Sequence, residues 1–349
     1  MSDFSACAAL GLDRRVLATL PADGVPTRVV AVHRGACIVL GDGPPRLATV
    51  AGRLRHGALN AAALPAVGDW VALDRRGGTV IQAIAERRGV IARVDPQTGG
   101  EQVLAAHVDV AFVVTSANRE LDARRLERFV ALVAAGGVEA SVLLNKIDLA
   151  VDIEAALGAI RSVVGGLVPV MPISALGGDG LEAVRAVLGP RRTAVLIGAS
   201  GVGKSTLTNA LLGSKHQATA AIRASDDRGR HTTVHRELFT LPDGGLLIDT
   251  PGLKLPRMTA DAGAAPFDEL AVLERECRFA DCGHGSEPGC AVQTAIAEGR
   301  LDPGRLDAAR HLEREAAWAE TRSDPAARRA REREWRRAIR MELNETDTW

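Results

Sequence analysis

The stretch Ala194-Val195-Leu196-Ile197-Gly198-Ala199-Ser200-Gly201-Val202-Gly203-Lys204-Ser205-Thr206-Leu207-Thr208-Asn209-Ala210-Leu211-Leu212 decides the fold. Four consecutive apolar residues predict a buried strand, Gly198, Gly201 and Gly203 predict a tight loop, and the residues from Thr206 read as a helix. Strand, glycine loop, Lys-Ser and helix in that order make a P-loop. Its backbone N–H groups curl round phosphates at a helix N-terminus, Lys204 reaches the β and γ oxygens, and the Ser205 hydroxyl ligates Mg²⁺. A bare glycine turn is the bland reading, and it leaves the Lys-Ser pair and the following helix unexplained.

Working outward, Leu143-Leu144-Asn145-Lys146-Ile147-Asp148 ends another buried strand with an amide, an ammonium and a carboxylate. Asp148, an acceptor only, takes hydrogen bonds from guanine N1–H and the exocyclic amine, which adenine cannot offer. Asn145 and Lys146 pack around the base and the P-loop. Ser174-Ala175-Leu176 closes a further strand, where a backbone N–H faces guanine O6. Downstream, Leu246-Leu247-Ile248-Asp249-Thr250-Pro251-Gly252 brings Asp249 near Mg²⁺ through a water and the Gly252 N–H near the γ-phosphate. Leu126, Phe129, Val130 and Val133 are spaced as one helix face, and strands alternate with helices from Val108 to Asp249. The pattern is a doubly wound α/β domain.

Between the P-loop and Asp249 lies Gly229-Arg230-His231-Thr232-Thr233-Val234, a polar stretch without periodicity. Thr233, beside Thr232, is expected to complete the Mg²⁺ shell. Leu253 stands where Ras-like GTPases carry the glutamine that orients the attacking water. Leucine cannot hydrogen-bond a water, so the assisting group is either His231 or one supplied by a partner. His231 as a plain solvated loop imidazole is the competing reading.

The base-recognition motifs precede the P-loop, whereas an ordinary GTPase has them after Asp-x-x-Gly. Such a circular permutation leaves the site intact and makes the segment leaving Gly252 run straight into the C-terminal region. That region carries Cys277-x4-Cys282-x-His284-x5-Cys290, four ligand-type residues within 14 positions. Three thiolates and one imidazole suit a closed tetrahedral, structural zinc site rather than a catalytic one, since no open position remains. Behind it, Arg328, Arg329, Arg331, Arg333, Arg336, Arg337 and Arg340 surround Trp335. RNA binding and a solvated helix with paired charges remain equal readings of this tail.

Ahead of residue 95, short apolar runs at Val29–Val32, Ala36–Leu40, Ala48–Val50, Trp70–Leu73 and Val80–Ile84 are separated by Gly/Pro turns. Five strands at that spacing predict a small antiparallel barrel of the oligonucleotide-binding (OB) type. The chain thus reads as an N-terminal OB-type domain over residues 1–98, a permuted GTPase domain over 99–258, and a zinc-binding helical region over 259–349. With 46% apolar residues among 349, these domains can fill ordinary cores. Acidic and basic residues balance to zero net charge, so bulk electrostatics neither demand nor exclude nucleic acid. Only four lysines occur, and two of them, Lys146 and Lys204, sit in the motifs above. No apolar run is long enough for a membrane span and no signal-peptide core opens the chain, so the expected location is the cytoplasm.

Taken together, the permuted motif order, the barrel in front, Gly229 to Thr233 and the pattern from Cys277 to Val292 resemble the ribosome small subunit-dependent GTPase A family. The resemblance runs from about Val16 to Trp318. It implies a monomeric cytoplasmic GTPase that acts late in maturation of the small (30S) ribosomal subunit, binds 16S rRNA and hydrolyses GTP to GDP faster on that particle. Carried over by motif, nucleotide contacts fall on Asn145 to Asp148, Ser174, Ala175 and Gly198 to Thr206, including Ala199, Ser200 and Val202. The switch histidine falls on His231, and the zinc ligands on Cys277, Cys282, His284 and Cys290. A GTPase switch whose flanking domains bind protein is the rival reading; a zinc-dependent hydrolase is remoter, since no open ligand set such as His-Glu-x-x-His occurs.

Overall fold

The computed structural model describes residues 5–33, 35–58, 60–74, 78–94, 100–118, 121–213, 236–250, 268–279, 282–285, 287–301, 303–306 and 309–310. Two short helices, α1 (Ser5–Ala9) and α2 (Arg14–Ala18), precede the first strand. Asp13 caps α2 by accepting the Val16 N–H at 2.8 Å.

Strands β1 (Val25–His33), β2 (Ala36–Gly41), β3 (Gly43–Val50), β4 (Trp70–Leu73) and β5 (Val80–Ile84) run in the order β1-β2-β3-β5-β4, and β4 returns to pair with β1. The five-stranded barrel read from the alternation is therefore closed, with helix α3 (Gly52–Gly57) between β3 and β4. Alternate residues point inward, and Val29, Cys37, Val39, Val71, Leu73 and Ile81 fill the interior. Burial pushes the Cys7 and Cys37 thiols up to about 11, so both are packed as small apolar groups. A separate ribbon pairs β6 (Ile91–Val94) with β7 (Glu101–Ala105), a strand that the turn-rich sequence before it concealed.

The α/β part consists of β8 (Val110–Ser116), α4 (Ala123–Ala135), β9 (Glu139–Asn145), α5 (Ile153–Val164), β10 (Val170–Pro172), α6 (Leu181–Leu188), β11 (Thr193–Gly198), α7 (Lys204–Leu212), β12 (Glu237–Thr240) and β13 (Leu246–Asp249). On α4, Leu126, Phe129, Val130 and Val133 are buried, the face that the spacing predicts. Strand order is β10-β9-β8-β11-β13-β12, parallel except for β12. From β8 the chain builds outward to β10, then returns to the other side of β8 with β11. The order reverses between β8 and β11, so a crevice opens beyond their carboxyl ends, where ligands bind in open α/β sheets.

Barrel and α/β sheet are not separate layers. The antiparallel strand β12 pairs with β1, so an 11-stranded sheet runs from β10 through the barrel. By compactness the chain forms two units, Met1–Ala92 with Val103–Pro256, and Arg93–Gln102 with Arg257–Trp349. The second unit carries α8 (Asp268–Arg275) and α9 (Ala291–Ala297). Among the described residues, no helix is long and apolar enough to cross a membrane.

Candidate nucleotide site and metal cluster

Strand β11 is buried along its whole length and delivers the glycine loop to the crevice. Gly203 caps α7 with φ +99°, in the left-handed region, and a Cβ there would lie 2.3 Å from Asn145 Nδ2. Only glycine serves both demands at once. Lys204 is buried and donates from Nζ to the carbonyls of Gly198 at 2.9 Å and Ala199 at 2.7 Å. Burial lowers its pKa, and the Asp249 carboxylate opposes that shift. Asp249 mirrors it: burial raises the carboxyl, while Lys204 and a hydrogen bond from Thr208 pull it down. The ammonium and the carboxylate are thus held as a half-dry pair at the ends of β11 and β13, where a phosphate and a divalent cation need opposite charges. Ser205 and Thr206 follow in the first turn of α7 with exposed side chains.

The guanine motifs are locked onto this loop. Asn145 is buried at the end of β9, donates from Nδ2 to the Val202 carbonyl at 2.9 Å, and accepts the Ala175 N–H at 2.9 Å. One amide therefore joins three separate segments. Lys146 takes a left-handed conformation (φ +65°) and donates from Nζ to the Gly201 carbonyl at 2.8 Å. Asp148 accepts the Ser174 hydroxyl at 2.6 Å, and Ser174 Oγ in turn accepts the Gly177 N–H at 2.9 Å. This places one carboxylate oxygen of Asp148 in a fixed orientation. The motif around Ser174 predicts a backbone role only; its side chain is the group that aims Asp148. Thr250, which no motif singles out, donates from Oγ1 to the Leu196 carbonyl and ties the start of the Asp-x-x-Gly turn to β11.

Asn145, Lys146, Asp148, Ser174 and Ala175 are thereby brought together with Gly198 to Lys204, and Asp249 with Lys204. His231, Thr232, Thr233 and Gly252 lie outside the described residues, as do Leu253 and the arginines from Arg328 to Arg340.

In the second unit the side-chain ligand atoms of Cys277, Cys282, His284 and Cys290 all lie within 4.8 Å of one another. Sγ of Cys277 and Cys290 are 3.9 Å apart, and His284 Nδ1 is 3.7 and 3.6 Å from them. A tetrahedral zinc with its usual bond lengths requires about 3.8 Å between sulfurs and about 3.5 Å from sulfur to nitrogen. The donor set fits a tetrahedral metal, and the outer partners do too. Glu274 Oε1 stands 3.3 Å from His284 Nε2, which fixes the ring and leaves Nδ1 for a metal. His284 has a left-handed backbone (φ +55°), and its carbonyl accepts Gln293 Nε2 at 2.6 Å. Cys290 caps α9, accepting the Gln293 N–H at 3.4 Å. Hydrogen bonds from its own N–H and from the Gly285 and Gly283 N–H groups hold the Glu287 carboxyl below the usual range. Glu274, one turn before Cys277, was legible as a carboxylate at helical distance from the cluster; nothing in the sequence marked Gln293.

The RsgA GTPase family model matches residues 84–259, half of the chain and all of the nucleotide motifs in their permuted order. The Small ribosomal subunit biogenesis GTPase RsgA of Opitutus terrae is 42% identical over 328 residues, covering 90% of this chain and 89% of its own. The chain belongs to the RsgA GTPase family. It is accordingly a hydrolase acting on GTP, and the family implies Mg²⁺ with the nucleotide. Among solved structures, YjeQ from Thermotoga maritima superposes with a TM-score of 0.62 at 24% identity, covering 84% of this chain and 98% of that one. YloQ, described as a circularly permuted GTPase, gives 0.59 at 24% identity, with coverage of 85% and 96%. These two share the fold of this RsgA GTPase family member.

Proposed function

We propose that this protein is a GTP-driven late assembly factor of the small ribosomal subunit, a cytoplasmic monomer that binds 16S rRNA and turns over faster on the 30S particle. The observation that carries the nucleotide half is Asn145, whose amide ties the guanine motif to the P-loop and the Ser-Ala turn. The ribosomal half is supported by the names of the full-length relatives, Small ribosomal subunit biogenesis GTPase RsgA.

In this reading Asp148, aimed by Ser174, accepts the guanine N1–H and exocyclic amine, with Lys146 packed over the base. The N–H groups from Ala199 to Thr206 and the Lys204 ammonium hold the phosphates. Ser205 and Thr233 are the residues that would hold Mg²⁺, with Asp249 beside them, and a bound Mg²⁺ would neutralise charge on the phosphates. Thr232 and the Gly252 N–H flank the γ-phosphate. Since Leu253 cannot orient water, His231 is the group that positions or deprotonates it in the partner-bound complex. Cys277, Cys282, His284 and Cys290 hold one zinc, which closes the loop between α8 and α9 and does no chemistry on GTP. Residues 1–98, 99–258 and 259–349 are the working segments of this scheme.

GTP turnover with and without purified 30S subunits is the deciding measurement. Strong stimulation, with binding strengthened by a non-hydrolysable GTP analogue and weakened steeply by salt, supports the proposal. Equal turnover in both, or salt-insensitive binding to a protein partner only, replaces it with a switch that reads protein.

A further inference from the structure

The barrel is fastened to the nucleotide domain at two places that bear on the catalytic strands. The first is the sheet itself. Ala31 of β1 pairs with Glu237 of β12, Glu237 pairs with Asp249 of β13, and Asp249 pairs with Leu196 of β11. A single row of residues therefore crosses from the barrel wall to the Mg²⁺-side aspartate and on to the P-loop strand. Strand β12 also directly follows the segment that contains His231 and Thr233.

The second is Arg28, three residues before Ala31 on the same strand and 1% exposed. Its guanidinium donates to the carbonyls of Leu10, Gly68 and His107 and to Thr193 Oγ1, and it lies over the Trp70 ring at 5.6 Å. Thr193 opens β11, and its own N–H is held by the Asp109 carboxylate at 2.7 Å. A planar fork with five donors suits this convergence of acceptors, and no lysine ammonium could reach them all. Around it the fit is backbone to backbone. Gly68 has φ +94°, and a Cβ there would lie 2.1 Å from the Ala106 carbonyl oxygen. Interfaces packed this closely shift as bodies rather than deforming smoothly.

We infer that Arg28 is a positioning residue that couples the barrel to the nucleotide site, so that docking of the barrel is felt at Asp249 and the P-loop strand through β1, β12 and Thr193. The inference rests on the proposed ribosomal function for its trigger. It predicts reciprocity: whatever the barrel grips binds more tightly when GTP is in the site, by the factor that GTP binding gains from the grip.

The test compares the wild-type protein with Arg28→Lys and with Thr193→Val, which keeps the shape of the side chain and removes the acceptor. Turnover is measured with and without 30S subunits, and 30S affinity is measured with a GTP analogue and with GDP. Thermal unfolding checks that each variant is folded, and Thr193→Val decides the matter if Arg28→Lys is not. The variants are expected to keep basal turnover and GTP affinity within about twofold, and to lose 30S stimulation and nucleotide-dependent 30S affinity by about tenfold or more, inside the usual range of allosteric coupling. A folded variant with wild-type stimulation and wild-type nucleotide preference overturns the inference, as does loss of 30S binding in both nucleotide states. If the wild type itself is not stimulated, the functional reading fails, and the coupling is then read alone by amide exchange of residues 25–33 and 237–240 with the GTP analogue against GDP. A nucleotide-dependent change in both segments that vanishes in Thr193→Val sustains it, and no change in β1 of the wild type sinks it.

Discussion

The nucleotide site and the cysteine–histidine cluster solve the same problem, holding charged groups at fixed distances, by opposite means. At the nucleotide site the polar side chains come from the ends of β9, β11 and β13 and the turn after β10, and they are fixed by buried neighbours and main-chain carbonyls. The cluster takes its four ligands from 14 consecutive residues and has two short helices beside it. In the first, the sheet stabilises the geometry before any ligand arrives. The second has donors spaced for a tetrahedral ion, whose binding energy would supply most of the local stability. Single changes should therefore be graded in one site and all-or-none in the other.

The largest effect is expected in the cluster. Cys290→Ser, or chelation of the wild type, should release about one zinc per chain and unfold the segment from Cys277 to Cys290, since structural zinc is worth on the order of 10 kcal/mol. Metal analysis and amide exchange read this, and GTP binding should persist. Metal-free protein purified without chelator would remove zinc from the account.

His231→Ala comes next. It should spare GTP affinity and 30S co-sedimentation and lower stimulated turnover by about 10² to 10⁴-fold, the range of a positioned acid or base. Near wild-type turnover would mean that the particle supplies the group; loss of 30S binding would make His231 a docking residue.

At the base, Asp148→Asn should weaken GTP binding by roughly 10²-fold and relax discrimination against xanthosine nucleotides, because hydrogen bonds to a charged acceptor are worth about 1.5–3 kcal/mol. Unchanged GTP affinity takes Asp148 out of the pocket. In the cluster's outer layer, Glu274→Gln should cost about 10 to 100-fold in zinc affinity with the fold kept, measured by competition with a chelator. Were it to abolish metal binding, the contrast between the ligands and their supports would collapse. The smallest change belongs to Ser174→Ala, which frees Asp148 to rotate. Its expected cost is about 1 kcal/mol, near fivefold in GTP affinity by titration. A loss as large as that of Asp148→Asn would show the distributed site to be as brittle as the metal cluster.

Much of both sites was legible before the structure because their chemistry is written in local order. A P-loop needs its glycines, Lys204 and Ser205 adjacent, since one turn of backbone does the cradling. Four metal ligands can be counted by spacing alone. The five barrel strands were legible from alternation, since each must bury one face. Less was legible where a residue's role depends on something distant in sequence. Ser174 looked like half of a short motif, and its hydroxyl matters because β10 lies beside β9 and brings it to Asp148.

By itself, then, the sequence determined the P-loop, the guanine motif, the permuted order and the metal donor set, since neighbouring residues and short-range periodicity suffice for these. Tertiary structure alone decided that the barrel and the nucleotide domain share one sheet. Strand β12 is four residues long, with one paired position on β1, too little pattern to predict a partner. It also decided that Arg28, one arginine among many in the sequence, lies buried at the base of the P-loop strand. A side chain's burial and the acceptors it meets are set by which distant segments the fold packs against it, and that information is not local to residue 28.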